Sequence, residues 1–348
     1  MKVVTFVVGT SCVLLVVLFI ALFAIAHKAA ADDETFKGKT VTVYVGYDPG
    51  GTNDIVTRLV AANIGPHLGG NPTVVVKNMP GAATRKLAAH IYTRAAKDGT
   101  EFGNIDRAVS TESLLDPTAK NPFDVLAFTW IGSPTQETLV CVSWQNSKVQ
   151  SVDDILTKDY VVASPGSPSG EQMIANVLNA LLGAKVRAIS GYPGGNEMNL
   201  AMQRGEVDGR CGMGWGAIKV TLMDQIKNKE MKVLLQTAME KHPDLRDVPN
   251  AYDMVKTDED RTALALLFAS QKVGRPFIAP PDIPADRKAA LRKAFDDTIR
   301  DPAFVAGAEK LKFDLQPISG EEIERILKTA YATPAPVVAR TVKIVQGK

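Results

Sequence analysis

Hydrophobic residues in this chain change period several times, and each change marks an element. Val41, Val43 and Val45 alternate with Thr42 and Tyr44, the two-residue period of a strand. The cluster Gly46-Tyr47-Asp48-Pro49-Gly50-Gly51-Thr52-Asn53 then predicts a turn. Ile55, Val56, Leu59, Val60 and Ile64 recur at helical spacing, with Thr52 or Asn53 placed to cap the helix and Asp54 in its first turn. Thr73-Val74-Val75-Val76-Lys77 predicts the next strand, Leu87, Ala88 and Ile91 the next helix, and 101–105 a third strand. This strand–loop–helix order predicts a mostly parallel α/β sheet.

The same grammar continues. Strands are expected at 125–131, 138–144, 159–163, 186–190, 206–212 and 231–236. Ser151-x-x-Asp154 resembles a capping box before a short helix, and Met173, Ile174, Val177, Leu178 and Leu181 share one face of a helix over 170–182. A helix from Asn196 to Arg204 stops at Gly205. The last hundred residues predict helices at 258–270, 285–300 and 319–330, and short strands near 276–279 and 313–316. No internal repeat and no flexible linker divides the chain. Its domains are therefore expected to be joined by strands that cross between them.

The N-terminus departs from this pattern. Met1-Lys2 precedes an apolar run from Val3 to Ala26, and Ala29-Ala30-Ala31 precedes Asp32-Asp33-Glu34. A basic start, an apolar stretch and a small-residue site describe a secretory signal peptide over 1–31, cleaved after Ala31 or, alternatively, near Ala26. The run is also long enough for a retained anchor. Cys12 lacks the small-residue box of a lipoprotein.

Composition narrows the class. Hydrophobic residues are 45% and charged residues 22% of the 348, which excludes a disordered, collagen-like or polytopic membrane chain. The net charge is +2, and loss of Lys2 and Lys28 with the leader brings it to zero. No basic run provides a nucleic-acid footprint. Cys141 and Cys211 lie in strand-like stretches. They form a disulfide if those strands are neighbours, and are otherwise two buried thiols. Neither they nor His67, His90 and His242 have zinc-ligand spacing, and no metal or cofactor is expected.

Two loops carry candidate chemistry. Asp48-Pro49-Gly50-Gly51-Thr52-Asn53-Asp54 joins a strand to a helix. Its glycines allow close backbone approach, and the helix start offers free N–H groups to a carboxylate or phosphate. Ala163-Ser164-Pro165-Gly166-Ser167-Pro168-Ser169-Gly170 is placed alike and adds hydroxyls. Both can equally be plain turns. Gly212-Met213-Gly214-Trp215-Gly216-Ala217 matches a dinucleotide pattern formally but lacks its strand–helix frame. No phosphate-binding loop of Walker type and no nucleophile elbow is present; in the latter frame the central residue would be Pro168. Trp130, Trp144 and Trp215 are candidates for core or cleft, Trp215 standing between glycines. Tyr192-Pro193-Gly194-Gly195-Asn196 opens a further helix.

Several motifs in order resemble one family. They are Pro49-Gly50-Gly51 with Asp54 and Arg58, Val74 through Ala82, and Lys97-Asp98-Gly99-Thr100, followed by Ser164-Pro165-Gly166-Ser167, Gly191-Tyr192-Pro193-Gly194-Gly195 and Arg204 through Gly209. Together with the leader they resemble the Bug receptors, the TctC-like extracytoplasmic solute-binding subunits of tripartite tricarboxylate transporters. The resemblance implies a periplasmic-binding-protein-like, Venus-flytrap α/β fold. It has two domains around a central ligand cleft, here 32–132 with 238–348, and 133–237. It implies no catalysis and no cofactor, a periplasmic location and a monomeric receptor. The expected partners are a small carboxylate and integral-membrane permease subunits, or alternatively a signalling kinase.

The ligand-binding positions carried over are Pro49, Gly50, Gly51, Thr52, Asn53 and Asp54, with Ser164, Gly166, Ser167 and Ser169. Tyr44, Asn104, Gln136, Tyr192, Asn196 and Trp215 are candidates for the ligand's far end. Pro165 and Pro168 depart from the small residues common in the family, and the stretch 212–215 also differs. Citrate is therefore not implied as the solute.

Overall fold

The computed structural model describes residues 35–348 except 117, 167, 168 and 193. The predicted leader and its cleavage site lie outside the described residues. Among those described, no helix is long and apolar enough to cross a membrane.

In the first part of the chain the elements are β1 (Thr40–Val45), α1 (Thr52–Ile64), β2 (Thr73–Asn78), α2 (Arg85–Thr93), β3 (Glu101–Asn104), α3 (Glu112–Leu115) and β4 (Thr129–Ser133). A second series follows: β5 (Leu139–Trp144), α4 (Val152–Thr157), β6 (Tyr160–Ala163), α5 (Gly170–Leu182), β7 (Val186–Ile189), α6 (Gly195–Gln203), β8 (Gly209–Gly214), α7 (Trp215–Thr221), α8 (Met223–Lys227) and β9 (Met231–Thr237). The chain then runs through α9 (Ala251–Met254), α10 (Asp258–Val273), β10 (Phe277–Ala279), α11 (Ala285–Thr298), α12 (Pro302–Lys310), β11 (Ile318–Ser319), α13 (Gly320–Tyr331) and α14 (Ala335–Val345).

These strands form two sheets, and each sheet centres one lobe. The first has the order β11-β4-β10-β3-β1-β2, the second β7-β6-β8-β5-β9. Both are mixed, which corrects the expectation of mostly parallel sheets. β1 pairs in parallel with β2 and β3, but β10 is antiparallel to β3 and β4. In the second sheet β5 is antiparallel to both β8 and β9. The reversed strands β5 and β10 are the first to enter each sheet from the other lobe. The strands reached through helical crossovers keep a parallel sense, as such connections require.

Strand alternation divides each lobe's core in two. Val41 and Val43 of β1 face Val60, Ile64, Phe295 and Phe304, while Tyr44 faces Leu87 and Ile91. In β5, Leu139 and Cys141 pack with Ile174 and Leu178 of α5, and Val140 and Val142 with Met198 and Met202 of α6. α10 belongs to both lobes: Leu266, Ala269 and Val273 enter the first core, Leu264, Leu267 and Phe268 the second. Ile344 of α14 also packs on the second lobe, although the chain has by then completed the first sheet.

Local signals explain most boundaries. Ser151, Ser169, Thr257 and Ser319 each accept a bond from a backbone N–H three residues on, capping α4, α5, α10 and α13. Gly183 ends α5 in the left-handed conformation, φ +67°. The two largest departures from expectation lie around the first sheet. Asp124 caps a short 3-10 turn over 125–127, so β4 starts at Thr129 rather than 125. The strand expected at 313–316 is a loop, and the sheet is rejoined at Ile318. The helices α3, α7, α8, α9, α12 and α14 were not expected.

Cys141 and Cys211 stand opposite each other on β5 and β8, and their sulfurs form a disulfide within the second sheet.

Candidate functional site

The first candidate loop leaves the end of β1 and enters α1. Gly50 has φ +89°, a conformation that favours glycine, and space beside both Gly50 and Gly51 is open. Gly51 is the residue before the helix and has no side-chain cap, so the first N–H groups of α1 keep their donor capacity.

Asp54 fastens this loop. It is 2% exposed, and its carboxylate accepts from Gly50 N at 2.8 Å, Arg58 Nε at 3.0 Å and Asn78 Nδ2 at 2.8 Å. Burial pushes its carboxyl up, but the donors from Arg58, Gly50 and Asn78 outweigh that and hold it at about 2. Arg58 also donates to Asn78 Oδ1 at 2.7 Å. The Asp54, Arg58 and Asn78 of the motif thus tie the loop to the end of β2, and the Asp54 oxygens are spoken for within the lobe.

A cavity of about 520 Å³ lies between the lobes beside this loop. Thr52, Ile55 and Val56 line it from α1, on one helical face by their i, i+3, i+4 spacing. Ala217, Val220 and Thr221 of α7 line it from the second lobe with the same spacing. The crossing segment supplies Thr135, Gln136 and Glu137, and the loop after α12 supplies Leu311 through Asp314.

Two arginines line the first lobe's side, Arg107 and Arg275. Sequence reasoning missed both. Arg275 Nη1 donates to Asn53 Oδ1, which places the guanidinium at the start of α1. Its Nε is buried without a hydrogen-bond partner. Burial pushes its guanidinium below the ordinary value, against the field of Glu137. Its backbone is held firmly: Arg275 N donates to Ser133 Oγ at 2.9 Å, and Gly274, at φ +68°, rests on the carbonyl of Thr135.

Arg107 is paired with Glu137 at 3.6 Å. It follows Asp106, whose carboxylate caps the turn through Ala108 N at 2.8 Å and accepts from Tyr47 Oη at 2.8 Å. Asp106 N in turn donates to Thr84 Oγ1 at 2.9 Å. Ala82, Ala83 and Thr84 all have left-handed backbones, φ +49°, +49° and +69°. That conformation is strained for residues with a Cβ, and here it goes with the bond from Asp106 N to Thr84, one residue before Arg107. A sequence signal for both arginines existed: each flanks a first-lobe strand, Arg107 opening the turn after β3 and Arg275 standing before β10 between Gly274 and Pro276.

The other predicted residues fall in several places. Thr52 and Gln136 line the cavity, with Asn53 behind Thr52 on Arg275. Pro49 and Gly50 lie on the exposed rim of the loop. Ser164 is buried and turned inward, its Oγ accepting from Gly166 N at 3.0 Å and lying 3.2 Å from Ser169 Oγ. Ser169 is occupied as the cap of α5, donating partner Gln172 N at 3.1 Å. Ser167 lies outside the described residues. The second loop adjoins the cavity through Gly212, whose Cβ position would lie 3.0 Å from the backbone of Glu171. Asn196 is exposed at the start of α6, and Tyr192 packs into the second lobe's core. Asn104 is buried and donates to Pro276 O at 3.0 Å, and Tyr44 packs against His90.

Trp215 points away from the cavity. It is 5% exposed and donates from Nε1 to Asp244 at 3.2 Å. Beside it, His242, Asp244 and Asp314 bring three potential metal ligands together. The Lys219 ammonium already stands between the two carboxylates, 2.9 Å from each, so this cluster carries its own cation.

No family model matches the chain. A UPF0065 protein from the TAR-I ttuE-ttuC' intergenic region of Agrobacterium vitis is 25% identical over 285 residues, 79% of this chain and 76% of that protein. The structure is similar to a TctC solute-binding protein from Polaromonas, at 14% identity and a TM-score of 0.69, covering 89% of this chain and 98% of that one. It is also similar to an R. palustris protein solved with adipate, at 17% identity and a TM-score of 0.57, covering 87% and 97%. The fold is that of the TctC-type periplasmic solute-binding proteins.

Proposed function

We propose that this chain is an extracytoplasmic solute-binding receptor that captures a small carboxylate between its lobes and hands it to a membrane permease. The ligand's carboxylate sits at the start of α1, where Arg275, Arg107 and the free N–H groups of the helix converge. The observation that carries this reading is Arg275, a guanidinium in the interlobe cavity with a buried Nε lacking a partner. A carboxylate there supplies the missing acceptor and adds a counter-charge to that of Glu137, which the two arginines share. The receptor role is supported by the likeness to solute-binding proteins of the same fold, and by adipate in one of them. Capture works by closure of the lobes on the crossing segments, which biases an open–closed equilibrium without bond chemistry.

A thermal-shift panel of mono-, di- and tricarboxylates on the protein from Asp32 onward tests the reading. A carboxylate at 100 times its Kd adds about 2.7 kcal/mol of stability, a shift of several degrees. A panel that stays silent, also after unfolding and refolding to strip bound solute, overturns it.

A further inference from the structure

The cavity walls bear on the body of the solute beyond its carboxylate. Five large apolar residues are strongly exposed among the described residues. Three of them, Ile55 at 39%, Val220 at 48% and Leu311 at 42%, line this one cavity. They come from separate elements on both lobes: the first turn of α1, the last turn of α7 and the residue that ends α12. Singly scattered surface apolar residues need no explanation, but three gathered in the lining of one cavity mark a contact surface. Inward the surface continues through Phe313 to the buried Val56 and Leu139. The cavity thus combines the two guanidinium groups and polar Thr52, Thr135, Gln136, Glu137 and Thr221 with hydrocarbon from both lobes.

Resting on the receptor reading, we infer that the captured carboxylate carries an unsubstituted hydrocarbon body, held between Ile55 and Leu311 of the first lobe and Val220 of the second. The carboxylate meets Arg275 and the chain runs outward along the apolar walls. A volume of about 520 Å³ is within the range of small-molecule sites. A hydroxyl on the part of the body held between Ile55, Val220 and Leu311 would face hydrocarbon there and lose its bonds to water. The cavity therefore selects against hydroxy acids of the same length.

Calorimetric titration with butanoate, hexanoate and octanoate tests this, with succinate and malate as a matched pair. Each methylene that enters the apolar walls should tighten binding about fourfold. Succinate should bind more tightly than malate. Val220→Asn and Ile55→Asn, both at exposed positions, should flatten the chain-length slope, weakening octanoate more than butanoate. Equal affinity across the series, a preference for malate, or an unchanged slope in both variants overturns the inference and leaves the receptor reading standing. Absence of binding by every carboxylate overturns both.

Discussion

Lys219 of the second lobe and Asp314 of the first meet at 2.9 Å across the cleft. Lys219 rides on α7, which lines one wall, and Asp314 ends the loop that lines the other. Asp314 is further held by His242 Nε2 and Gln316 Nε2, both at 3.0 Å. The pair is a tie between lobes that move relative to each other in the proposed mechanism. Lys219→Met removes it and leaves Asp314 its other two partners. A partly exposed pair of this kind is worth about 1 kcal/mol or less, so the ligand-free protein should shift toward the open form up to about fivefold. Small-angle scattering should read a larger radius of gyration without ligand. An unchanged radius means that the tie does not govern closure.

Two carboxylates tie stability to acid pH. Burial acts to raise Asp314, but His242 and Lys219 outweigh it and hold the carboxyl at about 2. Asp54 is held at about 2 by its own donors, also against burial. A carboxyl depressed by folding contributes stability above its unfolded value, near 4, and loses it as pH falls through the folded value. Urea midpoints should therefore fall between about pH 5 and pH 2. Asp314→Asn should lower the midpoint at pH 7 and shrink its drop toward acid. A variant with the same pH slope as the native protein would remove Asp314 from this account.

Gly274 is predicted to be irreplaceable. Its φ is +68°, and a Cβ there would sit 1.8 Å from the carbonyl oxygen of Thr135. Gly274→Ala has to move either the crossing segment or Arg275, which follows directly. It should cost more than ~3 kcal/mol of unfolding free energy, read from urea denaturation, with poor soluble yield. A variant as stable as the native protein would show that this contact gives way freely.

Much of this architecture is written in local pattern. The two-residue alternation of β1 placed the strand correctly because Val41 and Val43 face one core and Tyr44 the other. Gly50 and Gly51 marked the loop at the cleft because its turn needs φ +89° at Gly50. The facing of Cys141 and Cys211 was conditional on strand order, which sequence spacing does not state. Strand direction was not legible either, since β5 and β10 owe their reversal to where the chain crosses between lobes. Arg107 and Arg275 escaped for a related reason. They lie far apart in the chain and meet only when β3 and β10 pair. Trp215 misled because glycines on both sides suggest exposure, whereas its indole finds a partner in Asp244, well along the chain.

The central claim is that Arg275 receives the carboxylate. Titration of adipate into the native protein and Arg275→Met, side by side, addresses it directly. Loss of a charge-assisted hydrogen bond in the cavity should weaken adipate binding about 10- to 100-fold. The unfolding midpoint without ligand should change little, because Asn53 is the one side chain seen to accept from Arg275. Equal affinity of the two proteins for adipate, or tighter binding by Arg275→Met, would contradict the claim.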